Sequence, residues 1–244
     1  MAMGLYDIHC HLVPGVDDGS QNMEESLAAL KLEYEEGIRT IIITPHFSAD
    51  NEPDYHLKVK AAFDALKENL AKEPYGSEME LYLGNELMYS DGILECLEQG
   101  RAFTMAGSHY VLVEFMPDVY YKVLYEGLRT LASNGYIPIL AHMERYHCLR
   151  KNTDRLDELD ELGVLLQVNG KTLEGGIFDF ECNAIKKLFK TGRIRFISTD
   201  SHGTHYRKPD LKKAAEWVKA HCSEEDAEGI LVENPKAVLE DRLI

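Results

Sequence analysis

Short apolar segments alternate with amphipathic segments along the chain. Several of the apolar segments are continuous rather than alternating, for example residues 41–43 and 111–113. Continuous apolar runs are typical of parallel strands that are covered on both faces. The pattern predicts seven such strands, at residues 5–12, 40–47, 79–88, 110–116, 137–142, 164–169 and 195–200.

The segments between these strands have helical periodicity. In the first of them Asn22 is suited to cap the start of a helix, Leu27 and Leu30 lie on its apolar stripe, and Gly37 is suited to end it. Further helices are predicted at about residues 56–71, 119–133, 154–162, 182–190 and 209–220. Repeated strand–helix alternation predicts one α/β domain over residues 1–244, with a parallel sheet closed as a barrel. An open doubly wound sheet is the alternative.

Composition indicates an ordinary globular protein in a reducing compartment. Hydrophobic residues make up 45% and charged residues 28% of the 244 residues. No apolar run approaches the roughly 20 residues that span a bilayer, and the N-terminus lacks the pattern of a secretory signal. The five cysteines form no CxxC pair, so a disulfide framework is not expected. We therefore expect a cytoplasmic protein without stable membrane insertion.

The net charge of −16 bears on the choice of partner. A strongly acidic surface does not attract polyanions, so nucleic acid is a poor general partner and none is expected. An anionic substrate requires a site that is locally positive. The acidic residues Glu33, Glu35 and Glu36 of the first helix are interpreted as a solvated face.

Candidate metal ligands follow six of the seven predicted strands. Parallel strands of a barrel bring their C-terminal ends to one face, where active sites lie. The candidates are His9, His11, Asp18, His46, Glu86, Glu114, His142, Asp200 and His202. Imidazole and carboxylate groups are ligands for zinc, manganese and iron. The sixth strand, which ends at Asn169, has no such group.

Single members of this set have simpler interpretations. His46 alone would be read as a structural or exposed histidine, and Asp18-Gly19 as a turn. Glu114 follows four residues of an apolar run, so we expect it to be largely buried, where a carboxylate needs a cation or hydrogen bonds. Together, at the ends of successive strands, the residues predict a metal centre.

Six phrases of the sequence resemble one known superfamily. They are DIHCHLVPGVDDGS, TIIITPHF, GNELMY, VLVEF, AHMERY and STDSH, between residues 7 and 202. They are similar to the metal motifs of the polymerase and histidinol phosphatase (PHP) superfamily. The resemblance is closer to its branch of bacterial manganese-dependent protein-tyrosine phosphatases that act in capsule and exopolysaccharide synthesis. It implies a distorted seven-stranded (β/α)7 barrel that holds three divalent metal ions. Manganese is expected, and iron or zinc is possible.

The resemblance also implies which residues hold each ion. The residues implied for the first ion are His9, His11, Glu86 and Asp200. Those implied for the second, which shares Glu86, are Glu114 and His142. Those implied for the third are Asp18, His46 and His202. Arg145 matches a phosphate-binding arginine of the branch, and Arg207 is a plausible second one.

The expected reaction is hydrolysis of phosphotyrosine. Three divalent ions outweigh the four carboxylates, so the site attracts a phosphate dianion. A water that bridges two ions is expected to lose a proton and attack phosphorus in line. No cysteine is followed six positions later by arginine, which argues against the cysteine-dependent mechanism. The implied partner is a phosphotyrosine-containing protein, a bacterial tyrosine kinase with a tyrosine-rich tail.

Three alternatives remain at this point. The first is a PHP phosphoesterase that acts on a small phosphate ester such as histidinol phosphate. The second is an amidohydrolase-like metal hydrolase, and the third is a domain that binds phosphotyrosine without hydrolysing it.

Overall fold

The computed structural model describes residues 4–150, 152–176, 179–205 and 207–244, except the side chain of residue 181. The strands in these ranges are β1 Leu5–Asp7, β2 Ile38–Ile43, β3 His46–Phe47, β4 Glu80–Leu83, β5 Glu86–Met88, β6 Tyr110–Glu114, β7 Ile137–Leu140, β8 Leu165–Asn169 and β9 Ile194–Ser198. Every strand pair is parallel. All seven predicted strands are therefore present, and two of them are divided into two shorter strands.

Both divided strands are interrupted where the chain passes from one sheet to the other. Pro45 lies between β2 and β3, and because proline has no N–H it cannot continue the ladder as a donor. Asn85 lies between β4 and β5, where its side chain donates to the carbonyl of Pro45 (2.9 Å) and accepts from the N–H of Phe103 (2.8 Å). The strands run in the orders β1-β2-β4 and β3-β5-β6-β7-β8-β9, so each division moves the chain from one sheet to the other.

The first and last strands meet at their C-terminal ends. Cys10 and Ser201 form a parallel bridge. The N–H of Asp200 donates to the carbonyl of His9 (2.8 Å), and the N–H of His11 donates to that of Ser201 (2.7 Å). These contacts close the strands into a ring. The prediction of a distorted seven-stranded barrel is confirmed, and the open sheet is excluded.

Helices cover the outside of the barrel. The α-helices in the described ranges are α1 Met23–Glu35, α2 Tyr55–Leu70, α3 Ile93–Glu98, α4 Tyr121–Ser133, α5 Thr153–Glu161, α6 Phe180–Lys190, α7 Leu211–His221, α8 Glu224–Glu228 and α9 Asn234–Leu239. Asn22 caps α1 by accepting the N–H of Glu25 (3.0 Å), and Gly37 follows it with φ +94°. Both predictions for this helix are confirmed. None of the helices in these ranges is long and apolar enough to cross a membrane.

Two apolar clusters hold the layers together. The larger lies between strands and helices and contains the buried Cys10. The smaller lies toward the barrel interior and includes Ile42, Leu112, Phe196 and Val238. Val238 belongs to α9, so the C-terminal helix packs against the barrel core, a role that the sequence pattern did not predict.

Candidate metal centre and active site

Glu86 lies at the centre of the predicted site. It begins β5 and is almost fully buried. Its Oε1 lies 2.8 Å from His142 Nε2 and 3.2 Å from His9 Nε2. Its Oε2 lies 3.2 Å from His11 Nε2 and 3.1 Å from His46 Nδ1. Burial raises the pKa of Glu86, but the surrounding histidines lower it further, well below its ordinary value. One buried carboxylate thus faces four imidazoles.

The structure brings all nine predicted ligands to the same rim. Three groups of donor atoms lie within 4.8 Å of one another in the described ranges: His9, His11 and Glu86; His46, Glu86 and Glu114; His11, Asp18, His46 and His202. Asp200 Oδ1 is 3.6 Å from His9 Nε2 and 3.5 Å from His11 Nε2, and His142 Nε2 is 3.5 Å from Glu114 Oε2. The donors are imidazole nitrogens and carboxylate oxygens, and the Nε2 atoms of His9 and His11 face each other at 3.3 Å. This donor set fits divalent metal ions such as manganese, iron or zinc.

The groups differ in detail from the predicted ligand sets. His11 and His46 each belong to two groups, whereas each was assigned to a single ion. The assignment of each residue to a particular ion therefore stays a prediction.

Two of the nine residues have strained backbones. His142 has φ +33° and Asp200 has φ +53°, a region that non-glycine residues rarely adopt. They follow β7 and β9 and turn the chain sharply where each strand ends. Strain of this kind persists where the surroundings impose it, and it concentrates at functional sites.

Strand β8 supplies the groups that hold these residues in place. Gln167 Oε1 accepts the N–H of His142 (2.7 Å) and lies 3.2 Å from His9 Nδ1. Gln167 Nε2 donates to Asn169 Oδ1 (3.0 Å), and Asn169 Nδ2 donates to Asp200 Oδ2 (2.7 Å). Sequence reasoning found no ligand on this strand and missed its supporting role. The available signal was two amides, two residues apart, at a strand end.

Replacing Gln167 by alanine is expected to weaken metal binding by about 10- to 100-fold, because the group that orients His9 and His142 is lost. Calorimetric titration of the metal-stripped protein with Mn²⁺ measures the effect. Gln99→Ala, on an exposed glutamine, is the matched control. Unchanged affinity in Gln167→Ala would show that the histidines need no support from β8.

Comparison with known proteins identifies the family. The family described as "Capsular polysaccharide synthesis, CpsB/CapC" matches residues 5–240. The chain belongs to the CpsB/CapC family. It is 29% identical to the tyrosine-protein phosphatase CpsB of Streptococcus pneumoniae, over 98% of this chain and 100% of that one. It is 32% identical to the putative tyrosine-protein phosphatase CapC of Staphylococcus aureus, over 98% of this chain and 93% of that one.

A solved structure agrees with the family match. It comes from work on YwqE of Bacillus subtilis and CpsB of Streptococcus pneumoniae, described as unique metal-dependent tyrosine phosphatases. Its TM-score is 0.85 at 28% identity, over 98% of this chain and 96% of that chain. The resemblance to the capsule-linked phosphatases is confirmed.

The DDG motif of this CpsB/CapC chain has two aspartates with different surroundings. The predicted ligand Asp18 has a side chain that is 69% exposed, with Oδ1 3.3 Å from His46 Nε2. Asp17 is mostly buried, with Oδ2 2.8 Å from His11 Nδ1, and the same atom accepts the N–H of His46 (3.0 Å). Burial raises the pKa of Asp17, but these partners lower it more, to about 2. Asp17, which sequence reasoning left without a role, orients His11.

The two predicted phosphate-binding arginines both contact Asp200. Arg145 Nη2 donates to Asp200 Oδ2 at 2.5 Å and Arg207 Nη2 donates to the same oxygen at 2.9 Å. Both guanidinium groups are partly exposed and border the same cavity as Glu86 and Glu114. They hold positive charge at the mouth of the candidate metal centre of this CpsB/CapC chain.

Two buried carboxyl groups lie beneath the strained Asp200. Asp7 Oδ1 accepts the N–H of Thr199 (3.0 Å), and Glu33 Oε1 accepts from Ser201 Oγ (2.9 Å). Burial raises the pKa of Asp7 to about 6, and burial together with Asp7 raises that of Glu33 well above its ordinary value. Glu33 is fully buried, so its interpretation as part of a solvated face is wrong. It faces the barrel because the loop after β9 offers hydroxyl donors to it.

Proposed function

We propose that this chain is a metal-dependent protein-tyrosine phosphatase. The observation that carries the proposal is the convergence of His9, His11, His46 and His142 on the buried Glu86, at the mouth of a cavity that two arginines border. The family match and the described activity of its solved members support it.

Each residue of the site has a proposed task. Metal ions are proposed to be held by His9, His11, Asp18, His46, Glu86, Glu114, His142, Asp200 and His202. Three ions, most simply manganese, suit this number of donors. When bound, divalent ions lower the pKa of coordinated water and neutralise phosphate charge. Gln167 and Asp17 keep the histidine rings in the orientation that ligation requires.

Arg145 and Arg207 are proposed to bind the phosphate oxygens of the substrate. Their guanidinium donors already converge on one carboxylate oxygen, so an anion at the cavity mouth meets a fixed pair of cations. In the transition state they offset the charge on the equatorial oxygens. The phenol of tyrosine has a pKa of about 10, which makes it a better leaving group than an aliphatic alcohol.

The proposed substrate is a phosphotyrosine-containing protein, a bacterial tyrosine kinase tail in capsule or exopolysaccharide synthesis. The family's description as capsular polysaccharide synthesis supports this pathway. A cytoplasmic location and a single PHP domain over residues 1–244 are part of the same proposal. The net charge of −16 argues against nucleic acid as a substrate.

Metal-stripped protein is expected to be inactive on a phosphotyrosyl peptide and to regain activity with Mn²⁺, because its buried donors need ions to activate water. Released phosphate measures turnover, with a phosphoseryl peptide alongside as the control substrate. Restored turnover of the tyrosine peptide alone is the expected result. Turnover of histidinol phosphate instead of either peptide would contradict the proposal and favour the small-ester alternative.

A further inference from the structure

The cavity at the candidate metal centre is lined by both charged and apolar residues. Its volume is about 600 Å³, within the range of small-molecule pockets. Its ionisable lining residues are Asp17, His46, Glu86, Glu114, Arg145 and Arg207, and Ser48 and Asn51 also border it. Its apolar and aromatic lining residues are Val16, Phe47, Tyr55 and Met88, which we name the apolar wall. A ligand in this cavity can therefore contact both charged and apolar side chains.

The fold fixes the apolar wall relative to the metal centre. Met88 is two residues after Glu86 on β5, so both side chains point to the same face of the strand. Phe47 follows His46 on β3, and its ring centroid is 6.1 Å from that of Tyr55. Phe47 and Met88 of the wall therefore lie on the same two short strands as the candidate ligands His46 and Glu86.

Tyr55 ties the wall together. It is the first residue of α2, and its hydroxyl oxygen lies within hydrogen-bond distance of the carbonyl oxygens of Val16 (3.1 Å) and His46 (3.0 Å), to one of which it donates at a time. One side chain thus joins the helix, the loop that carries Asp17 and Asp18, and strand β3. The wall is preformed rather than assembled by a ligand.

Apolar side chains remain partly exposed here, although they border a charged cluster. Val16, Tyr55 and Met88 are each intermediate in burial, whereas Phe47 is buried behind them. Covering the exposed part of these side chains with another apolar group removes it from water and lowers the free energy. Methionine sulfur and aromatic rings are favourable neighbours of another ring.

We propose that the apolar wall is the subsite for the aromatic ring of the substrate's phosphotyrosine. The inference rests on the proposed function and adds its specificity: the phosphate lies between the metal centre and the arginines, and the ring lies against Val16, Tyr55 and Met88. An aliphatic phosphate ester has no ring to cover the wall. The wall therefore selects aryl over alkyl phosphate esters.

Met88→Ala and Val16→Thr test the subsite. Each is expected to lower the ratio of kcat/KM for a phosphotyrosyl peptide to that for glycerol 2-phosphate by about tenfold, the size of effect that a few apolar contacts produce. Leu57→Ala is the matched control, because Leu57 lies on α2, is 61% exposed and does not line the cavity. It is expected to keep the wild-type ratio.

Direct binding provides a second measurement. Calorimetry with the metal-loaded protein compares phenylphosphonate, which has a ring, with inorganic phosphate, which has none. Met88→Ala is expected to weaken the binding of phenylphosphonate about tenfold relative to the binding of phosphate.

The outcomes separate the subsite from the proposed function. If both wall variants kept the wild-type ratio of kcat/KM values, or lost kcat/KM equally on both esters, the proposed subsite would be wrong. The proposed phosphatase activity would be unaffected by that result. Wild-type protein that hydrolyses neither ester with any divalent metal would overturn the proposed function, and the subsite with it.

Discussion

Glu86→Gln is expected to lower kcat/KM for a phosphotyrosyl peptide by ~10³-fold or more. The substitution keeps the shape of the side chain and removes one negative charge from the centre of the site. Glu86 faces His9, His11, His46 and His142, so its two oxygens serve all the imidazoles that converge there. A neutral amide has only one oxygen, and its NH₂ group cannot bind a cation. Steady-state kinetics with saturating Mn²⁺, together with measured metal content, gives the effect.

Glu68→Gln is the control for this charge removal, because Glu68 lies exposed on α2 away from the rim. It is expected to keep wild-type activity. Should Glu86→Gln retain activity within threefold and a full metal content, the central role assigned to Glu86 would be wrong.

Glu33→Ala is expected to lower the free energy of unfolding by about 3 kcal/mol. The substitution leaves a cavity where a fully buried side chain was and removes the acceptor of Ser201 Oγ. Ser201 and Thr199 flank Asp200, so the strained turn also loses part of its support. Urea unfolding followed by circular dichroism measures the change.

Glu33→Gln separates hydrogen bonding from charge. Burial and the nearby Asp7 raise the pKa of Glu33, which favours its neutral form, and a neutral amide of the same shape preserves the acceptor, so we expect a cost of about 1 kcal/mol or less. If the glutamine variant were as unstable as the alanine variant, Glu33 would be acting as a charge. If neither were destabilised, its burial would have no structural role.

The barrel could be predicted because some of its strands, such as β6, are buried on both faces. Short apolar runs, several of them continuous, marked all seven strands, and the rule that parallel strands end at one rim gathered the nine predicted ligands. The divisions at Pro45 and Asn85 depend on a side chain that hydrogen-bonds across two strands, and no local pattern records such a contact. Helix α9 was missed because its burial depends on the far end of the barrel, where Val238 packs.

The supporting residues of the site were harder to predict than the ligands. Histidines and carboxylates after strands are conspicuous, whereas Gln167 is a polar residue within a strand and is ordinary in sequence. Glu33 lies in a helix with acidic neighbours, so its sequence resembles a solvated face. Its burial depends on hydroxyl donors that lie 166 and 168 residues away along the chain.

The closure of the barrel sets when the site can form during synthesis. His9 and His11 precede Asp200 and His202 by about 190 residues along the chain, so the ribosome makes them much earlier. The hydrogen bond between Asp7 and Thr199 spans 192 residues, so the two halves of the metal centre cannot meet until β9 has emerged. A nascent chain that ends before β9 already carries most of the predicted ligands, but it cannot complete the site. The candidate metal centre can therefore form only after the chain has been translated through Asp200 and His202.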